Sequence, residues 1–203
     1  MGAIFCNAEK HITDLGNSII LEIGSDRYEG STEYFANLAQ QHGVAFHSVD
    51  IVNDAQRRLS YLPVHWHTQS GSEWCQRILP QLDVQVGCVY LDNFDYNWNV
   101  KQPPQDWVKE QQMFYAQTVG VEMTNQNSQV EHLKQILAIY PYLSDSAVVI
   151  CDDTYTYNDC WIGKSGGVVI YLLANGFEVV RKIREPKDLG VILKRTKNTQ
   201  GNV

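Results

Sequence analysis

The sequence predicts an α/β protein with a doubly wound, mostly parallel sheet of seven strands, the last two of which form a C-terminal antiparallel hairpin. Two observations predict this fold class. Short apolar runs alternate with amphipathic stretches along almost the whole chain, which is the pattern of βα units around a parallel sheet. The predicted strands also tend to end in glycine or acidic residues, as expected where a ligand binds at the carboxyl edge of the sheet.

The first half of the chain contains four predicted strands with helices between them. Residues 30–32 cap the first helix, and Gly43 ends it in the position that favours glycine. Ser72 is expected to cap a later helix that stops near Pro80. The four strands span residues 19–23, 45–49, 64–67 and 86–91.

The second half begins with an irregular stretch, residues 92–104, and two polar helical segments. Because these segments have the least core-like sequence, we expect residues 93–142 to cover a substrate site. The remaining predicted elements are a fifth strand, a helix and the closing hairpin, at residues 147–151, 168–173, 177–183 and 189–193.

Composition indicates one soluble domain over residues 1–203, since 44% apolar residues suffice for a continuous core. With 16 basic and 23 acidic residues the net charge is -7, so we expect no nucleic-acid partner. The five cysteines form no CxxC pair and are typical of reduced thiols. No signal peptide or membrane span is evident, and we expect a cytoplasmic protein. The oligomeric state stays open, a homo-oligomer included.

The loop after the first strand has the features of a ligand site. Gly24 permits a tight turn, and Gly30 with Ser31 presents free helix N–H groups. A dinucleotide fold would need a second glycine where Ser25 stands, which disfavours pyrophosphate. A ligand with an amino group and a carboxylate fits this loop better. The alternative is that the glycines only make a turn.

Two further polar positions follow the next strands. Asp50 stands where an acidic side chain would accept both ribose hydroxyls of a nucleoside ligand, or it is a solvated cap. Ser72 lies in a polar turn that would suit an adenine ring, or it is a plain helix cap.

Acidic residues follow the fourth and fifth strands. Asp92, Asp152 and Asp153 are expected to converge, because neighbouring parallel strands finish on the same side. Three carboxylates in one crevice repel each other unless a cation holds them. Oxygen ligands favour Mg²⁺, with Mn²⁺ or Ca²⁺ as options. The alternative is a turn with one solvated carboxylate.

The ordered set of motifs resembles a known family. These motifs are EIGSDRYEGST, VDIV, SGSEW, VYLDNFDYNW, VVICDDTY and GKSGGVVIYLLANGF, within residues 19–177. They are similar to the metal-dependent class I O-methyltransferases that use S-adenosylmethionine (SAM), including the catechol, macrocin and cephalosporin-hydroxylase-like groups. The resemblance implies a Rossmann-like fold, with SAM and Mg²⁺ as cofactors.

The resemblance also implies roles for single residues. Glu22, Gly24 and Ser31 would surround the methionine part of SAM, Asp50 the ribose and Ser72 the adenine.

For the chemistry, the resemblance implies that Asp92, Asp152 and Asp153 are the metal ligands. The catechol type has a lysine as general base three residues after the first metal aspartate, where this sequence has Asp95. Asp95 or Lys164 is therefore expected to accept the proton or orient the acceptor.

The predicted function is methyl transfer from SAM to a hydroxyl of a small molecule, with Mg²⁺ assistance. One alternative is a nucleotide or sugar-nucleotide enzyme on the same fold. The other is a catalytically inactive binding domain that keeps the fold.

Overall fold

The computed structural model describes residues 3–98, 105–185 and 188–196. In chain order the strands are β1 (Ile19–Ile23), β2 (Phe46–Asp50), β3 (His65–Thr68), β4 (Val86–Leu91), β5 (Leu143–Asp152), β6 (Thr154–Tyr157), β7 (Cys160–Gly163), β8 (Phe177–Glu185) and β9 (Asp188–Arg195). The α-helices are α1 (Ser31–His42), α2 (Asp54–Arg58), α3 (Gly71–Arg77), α4 (Asp106–Thr118), α5 (Asn125–Ile139) and α6 (Gly166–Ala174). None of the helices in these ranges is long and apolar enough to cross a membrane.

The main sheet has the predicted architecture. Its seven strands run in the order β3-β2-β1-β4-β5-β9-β8. The first five are parallel, and β9 is antiparallel to both β5 and β8. The chain builds outward from β1 to β3 and then returns to β4 on the other side of β1. This reversal creates a crevice between β1 and β4 at the carboxyl edge, where open α/β sheets bind ligands.

Alternating side chains of the strands build one core on each face of the sheet. Leu21 and Ile23 of β1 join a cluster that contains Trp74 of α3 and Ile136 of α5. Ile20 joins the opposite cluster, which contains Phe35 of α1. Because side chains alternate along a strand, Glu22 also points towards the face that α1 covers.

Helix ends follow the glycines and hydroxyl residues of the sequence, with one correction. Gly43 ends α1 in the left-handed region at φ 66°, as predicted. Ser72, however, is not a helix cap. The cap of α3 is Ser70 and the helix begins at Gly71, so Ser72 already lies in the first turn. Residues 70–72 contain two serines within reach of that position, and the sequence pattern selected the wrong one.

A second, two-stranded sheet was not predicted. Strands β6 and β7 form an antiparallel hairpin directly after β5. Its turn residues Asn158 and Asp159 both have positive φ, at 46° and 60°, which short polar side chains tolerate best. The alternating aromatic and polar residues around Asn158-Asp159 are the local signal that would have identified the hairpin.

Candidate functional site

Two adjoining cavities open at the carboxyl edge of the sheet, and Arg27 lines both of them. The first cavity has a volume of about 340 Å³ and is lined by Asp50, Ser72 and Asn93 and by residues of α4 and α5. The second has a volume of about 270 Å³ and is lined mainly by charged residues. Helices α4 and α5 belong to the segment expected to cover a site. Residues 99–104 of that segment lie outside the described residues.

Asp50 ties the loop after β1 to the end of β2. Its Oδ2 accepts a hydrogen bond from the amide of Ser25 at 2.9 Å, and its Oδ1 accepts one from the amide of Val52 at 3.0 Å. Burial raises the pKa of Asp50 above its usual value. Each carboxylate oxygen has a further lone pair. Asp50 can therefore still accept hydrogen bonds from a ligand in the first cavity, which it lines.

Glu22 and Ser31, expected beside a ligand, bind each other inside the fold. The hydroxyl of Ser31 donates to Glu22 Oε1 at 2.7 Å. The hydroxyls of Thr32 and Ser48 donate to Oε2 at 2.7 and 2.6 Å. Burial raises the pKa of Glu22 to about 7. This carboxyl therefore fastens the start of α1 to β1 and β2.

Gly24 makes room for the protein's own backbone. Its φ is +92°, and a Cβ at this position would lie 2.5 Å from the carbonyl oxygen of Asp92. The loops after β1 and β4 thus touch across the switch point of the sheet. Gly30 also has positive φ, at 89°, and precedes α1. Both glycines permit the tight turn that the sequence predicts.

Ser72 faces the first cavity from α3. Its amide N–H donates to Glu131 Oε1 of α5 at 3.0 Å. The hydroxyl oxygens of Ser70 and Ser72 are 3.2 Å apart. The hydrogen bond from Ser72 to Glu131 joins α3 to α5 along the wall of the cavity.

The structure brings Asp92, Asp152 and Asp153 together at the second cavity, and Lys164 lies among them. The Lys164 ammonium is 2.8 Å from Asp92 Oδ1 and 2.9 Å from Asp153 Oδ2. Burial opposes the charged form, but Asp92 and Asp153 outweigh it and raise the pKa of Lys164 well above its ordinary value. Lys164 is thus a cation and not a ready proton acceptor. We call Asp92, Asp152 and Asp153 the acidic cluster.

Asp152 is linked to Asp92 through Tyr90. The Tyr90 hydroxyl donates to Asp152 Oδ2 at 2.5 Å and lies 3.1 Å from Asp92 Oδ2. Burial, followed by the charges of Asp92 and Asp153, raises the pKa of Asp152 to about 8. The hydroxyl has one proton, so it can donate to only one of these two carboxyl groups at a time.

The hairpin of β6 and β7 is what carries Lys164 to the cluster. Gly163, at the end of β7, has φ +98°, and any side chain there would collide with the carbonyl oxygen of Asp153. The amide of Lys164 donates to that same carbonyl at 3.1 Å. The close contact fixes the backbone of Lys164 beside Asp153. Sequence reasoning missed this pairing because it depends on the return of the hairpin.

Asp95 is held in an ion pair with Arg27. The Arg27 guanidinium lies 3.1 Å from Asp95 Oδ2, and the amide of Asp95 donates to the Tyr115 hydroxyl at 3.1 Å. These contacts tie Asp95 to the loop after β1 and to α4.

Two aromatic residues just after Asp95 pack with a third from the β6–β7 hairpin. The ring of Trp98 lies 4.5 Å from that of Tyr96 and 5.6 Å from that of Tyr155. Trp98 is 40% exposed. These rings are tilted against one another and leave a partly exposed aromatic surface.

The described residues do not fit the expected magnesium site. Over the ranges that the structure describes, no group of three or more His, Cys, Asp and Glu side chains is arranged to hold a metal ion. The Lys164 ammonium lies between two of the three expected ligands. Lys164 thus places a positive charge beside these carboxylates.

Comparison with known proteins gives no match to any family model and none to the curated proteins. Solved structures do match. The MycE methyltransferase from the mycinamycin biosynthetic pathway, solved with Mg and SAH, has a TM-score of 0.57 at 12% identity. The alignment covers 98% of this chain and 51% of that one, so this chain spans about half of MycE.

Two other matches come from different kinds of methyltransferase. The Burkholderia thailandensis 1,6-didemethyltoxoflavin-N1-methyltransferase has a TM-score of 0.51 at 14% identity, covering 95% of this chain and 76% of that one. An rRNA methylase from Streptococcus thermophilus has a TM-score of 0.54 at 9% identity, covering 97% and 98%. Such low identities establish the fold alone. The chain has the Rossmann-like fold of these methyltransferases.

Proposed function

We propose that this chain is a SAM-dependent methyltransferase that transfers the methyl group to a hydroxyl of a small molecule. One observation carries the proposal: Asp50, at the end of β2, lines a cavity at the switch point of the sheet that adjoins a second, charged cavity. A volume of about 340 Å³ lies within the usual range for small-molecule sites.

The arrangement of the two cavities gives each part of SAM a place. The ribose hydroxyls would donate to Asp50, and the adenine would lie beside Ser72 and Phe94. The methionine part would extend past Arg27, which lines both cavities. Arg27 is a suitable partner for the methionine carboxylate. The methyl group would then face the second cavity, where the acceptor binds.

The charge of the second cavity favours a small acceptor over a nucleic acid. Its lining includes the three carboxyl groups of the acidic cluster together with Glu29 and Asp95, against the two cations Arg27 and Lys164. A phosphate backbone would be repelled by this surplus of acidic groups, and the whole chain has a net charge of -7. A hydroxylated molecule can instead donate to these carboxylates.

Magnesium has no part in this proposal, because Lys164 lies where the ion would bind. In the transfer step the acceptor oxygen forms a bond to the methyl carbon as the carbon–sulfur bond breaks and its electrons return to sulfur. The hydroxyl proton passes to a carboxylate of the acidic cluster. The protein's main contribution is to orient the two reactants.

Calorimetry with S-adenosylhomocysteine (SAH), the demethylated product, tests the proposal without knowledge of the acceptor. Wild type should bind SAH saturably, and Asp50→Ala should bind about tenfold to a hundredfold more weakly because hydrogen bonds to a charged group are lost. Asp106→Ala is the matched control, since its carboxylate is 92% exposed on α4.

The alternatives predict a different result in the same titration. A nucleotide or sugar-nucleotide enzyme would bind a nucleotide sugar saturably and leave SAH unbound. That outcome would overturn the proposed function. Equal SAH binding by wild type and Asp50→Ala would show that Asp50 does not hold the ribose.

A further inference from the structure

We propose that the Lys164 ammonium takes the place of a divalent cation at the acceptor site, so that methyl transfer here needs no metal ion. The inference deepens the proposed function and rests on it. It assigns the charge that orients the acceptor to a side chain of the protein.

The first support is the position of the ammonium. Lys164 is only 5% exposed, and its Nζ lies within 2.9 Å of carboxylate oxygens that follow two different strands, β4 and β5. An exposed surface lysine would not be held between Asp92 and Asp153 in this way. The buried cation offsets the repulsion between the carboxylates, which is the task expected of a metal.

The second support is the distance that each kind of cation requires. Mg²⁺ holds its oxygen ligands at about 2.0–2.1 Å and demands near-octahedral geometry. The oxygens of Asp92 and Asp153 instead lie 2.8 and 2.9 Å from Lys164 Nζ, as an ammonium requires. An ion at the centre of the cluster would have to displace Nζ and draw the carboxylates inwards.

The third support is that the fold fixes the lysine backbone. The amide of Lys164 donates to the carbonyl of Asp153, and the amide of Ser165 donates to the Thr154 hydroxyl at 3.1 Å. Gly163 allows this contact because any side chain there would strike the Asp153 carbonyl. The β6–β7 hairpin therefore holds the backbone of Lys164 beside the cluster.

The ammonium has a hydrogen left for the acceptor. It carries three N–H groups, of which Asp92 and Asp153 take two. Lys164 lines the second cavity, so the third N–H can donate to the acceptor oxygen. Lys164 keeps its proton throughout the transfer, and its charge stabilises the oxygen as that atom loses its own proton to the cluster.

The inference is tested by titrating the protein with Mn²⁺ alone. Electron paramagnetic resonance measures the concentration of free Mn²⁺, from which the bound fraction follows. Wild type should show no saturable binding. Lys164→Ala should bind one equivalent, because it leaves two unpaired carboxylates around an open space, and adding Asp153→Asn should abolish that binding. Lys109→Ala, which removes an exposed lysine paired with Asp106, should behave as wild type.

Two results would overturn the inference: saturable Mn²⁺ binding by wild type that Asp153→Asn removes, or no gain of binding in folded Lys164→Ala. If circular dichroism shows that Lys164→Ala does not fold, Lys164→Gln gives the same test with most of the side-chain volume kept. Failure of every variant to bind SAH would count against the proposed function and leave the Mn²⁺ result unchanged.

Discussion

The two sides of the carboxyl edge satisfy their carboxyl groups in different ways. On the first side, at the ends of β1 and β2, Glu22 and Asp50 accept hydrogen bonds from neutral hydroxyls and amides. On the second side, after β4 and β5, Asp92 and Asp153 face the charged Lys164. On the first side several hydrogen-bond donors stabilise the carboxyl groups, whereas on the second side they depend on one cation. Loss of a single group should therefore lower the stability of the protein more when that group lies on the second side.

Removal of the cation should have the largest effect. Lys164→Ala should lower the free energy of unfolding by about 3–5 kcal/mol, because the partly buried carboxylates of Asp92 and Asp153 each lose a hydrogen bond to a charged group. Arg27→Ala breaks a more exposed pair, with the arginine side chain 44% exposed, and should cost less than about 1 kcal/mol. Urea denaturation measures both. Equal losses would show that the two ion pairs do not differ as described.

Glu22 gives the first side a pH dependence with a definite sign. Its pKa of about 7 in the folded protein exceeds the ordinary value of 4.5, so folding favours the protonated form. The stabilisation is complete below about pH 4.5 and is lost as the pH rises through 7. Relative to Glu22→Gln, the free energy of unfolding of wild type should fall by about 3 kcal/mol across that window.

Denaturation of both proteins from pH 4.5 to pH 8 measures this difference, and the other titrating groups cancel in the comparison. A difference that stays constant with pH would mean that folding does not raise the pKa of Glu22.

Replacement of one glycine in the hairpin and one in α6 gives a matched pair of variants with smaller expected effects on stability. Gly163→Ala should cost about 2 kcal/mol or more, because alanine disfavours positive φ and its Cβ would strike the Asp153 carbonyl. Gly167→Ala should be neutral or stabilise the protein by up to about 1 kcal/mol, since it lies in a helix with open space around it. Thermal unfolding of the two variants distinguishes them, and similar stabilities would argue against a tight contact at Gly163.

On the second side, the sequence predicted the acidic cluster but not the lysine that lies within it. Apolar runs identified the strands of the main sheet, and the acidic residues after β4 and β5 predicted that Asp92, Asp152 and Asp153 would meet. Those inferences need only strand direction and periodicity. The partner of the cluster was beyond them, because Lys164 reaches Asp92 through a hairpin that no periodic pattern of helix or parallel strand describes.

On the first side, the sequence identified the residues but not the partners that their side chains contact. The family resemblance implied that Glu22 and Ser31 lie beside a ligand, and the structure brings the two residues into contact with each other. Whether such residues face a ligand or each other depends on the packing of α1 against β1, which spacing along the chain does not specify. Sequence reasoning therefore located the edge of the sheet correctly and left the direction of single side chains open.

A crystal structure of the chain with SAH, prepared in the presence of a chelator, would show both the cofactor and the acidic cluster. We expect the ribose hydroxyls against Asp50, the sulfur facing the second cavity, and Lys164 still between Asp92 and Asp153. SAH bound away from this edge, or excluded from it by a nucleotide whose phosphates lie at the start of α1, would contradict the proposed function.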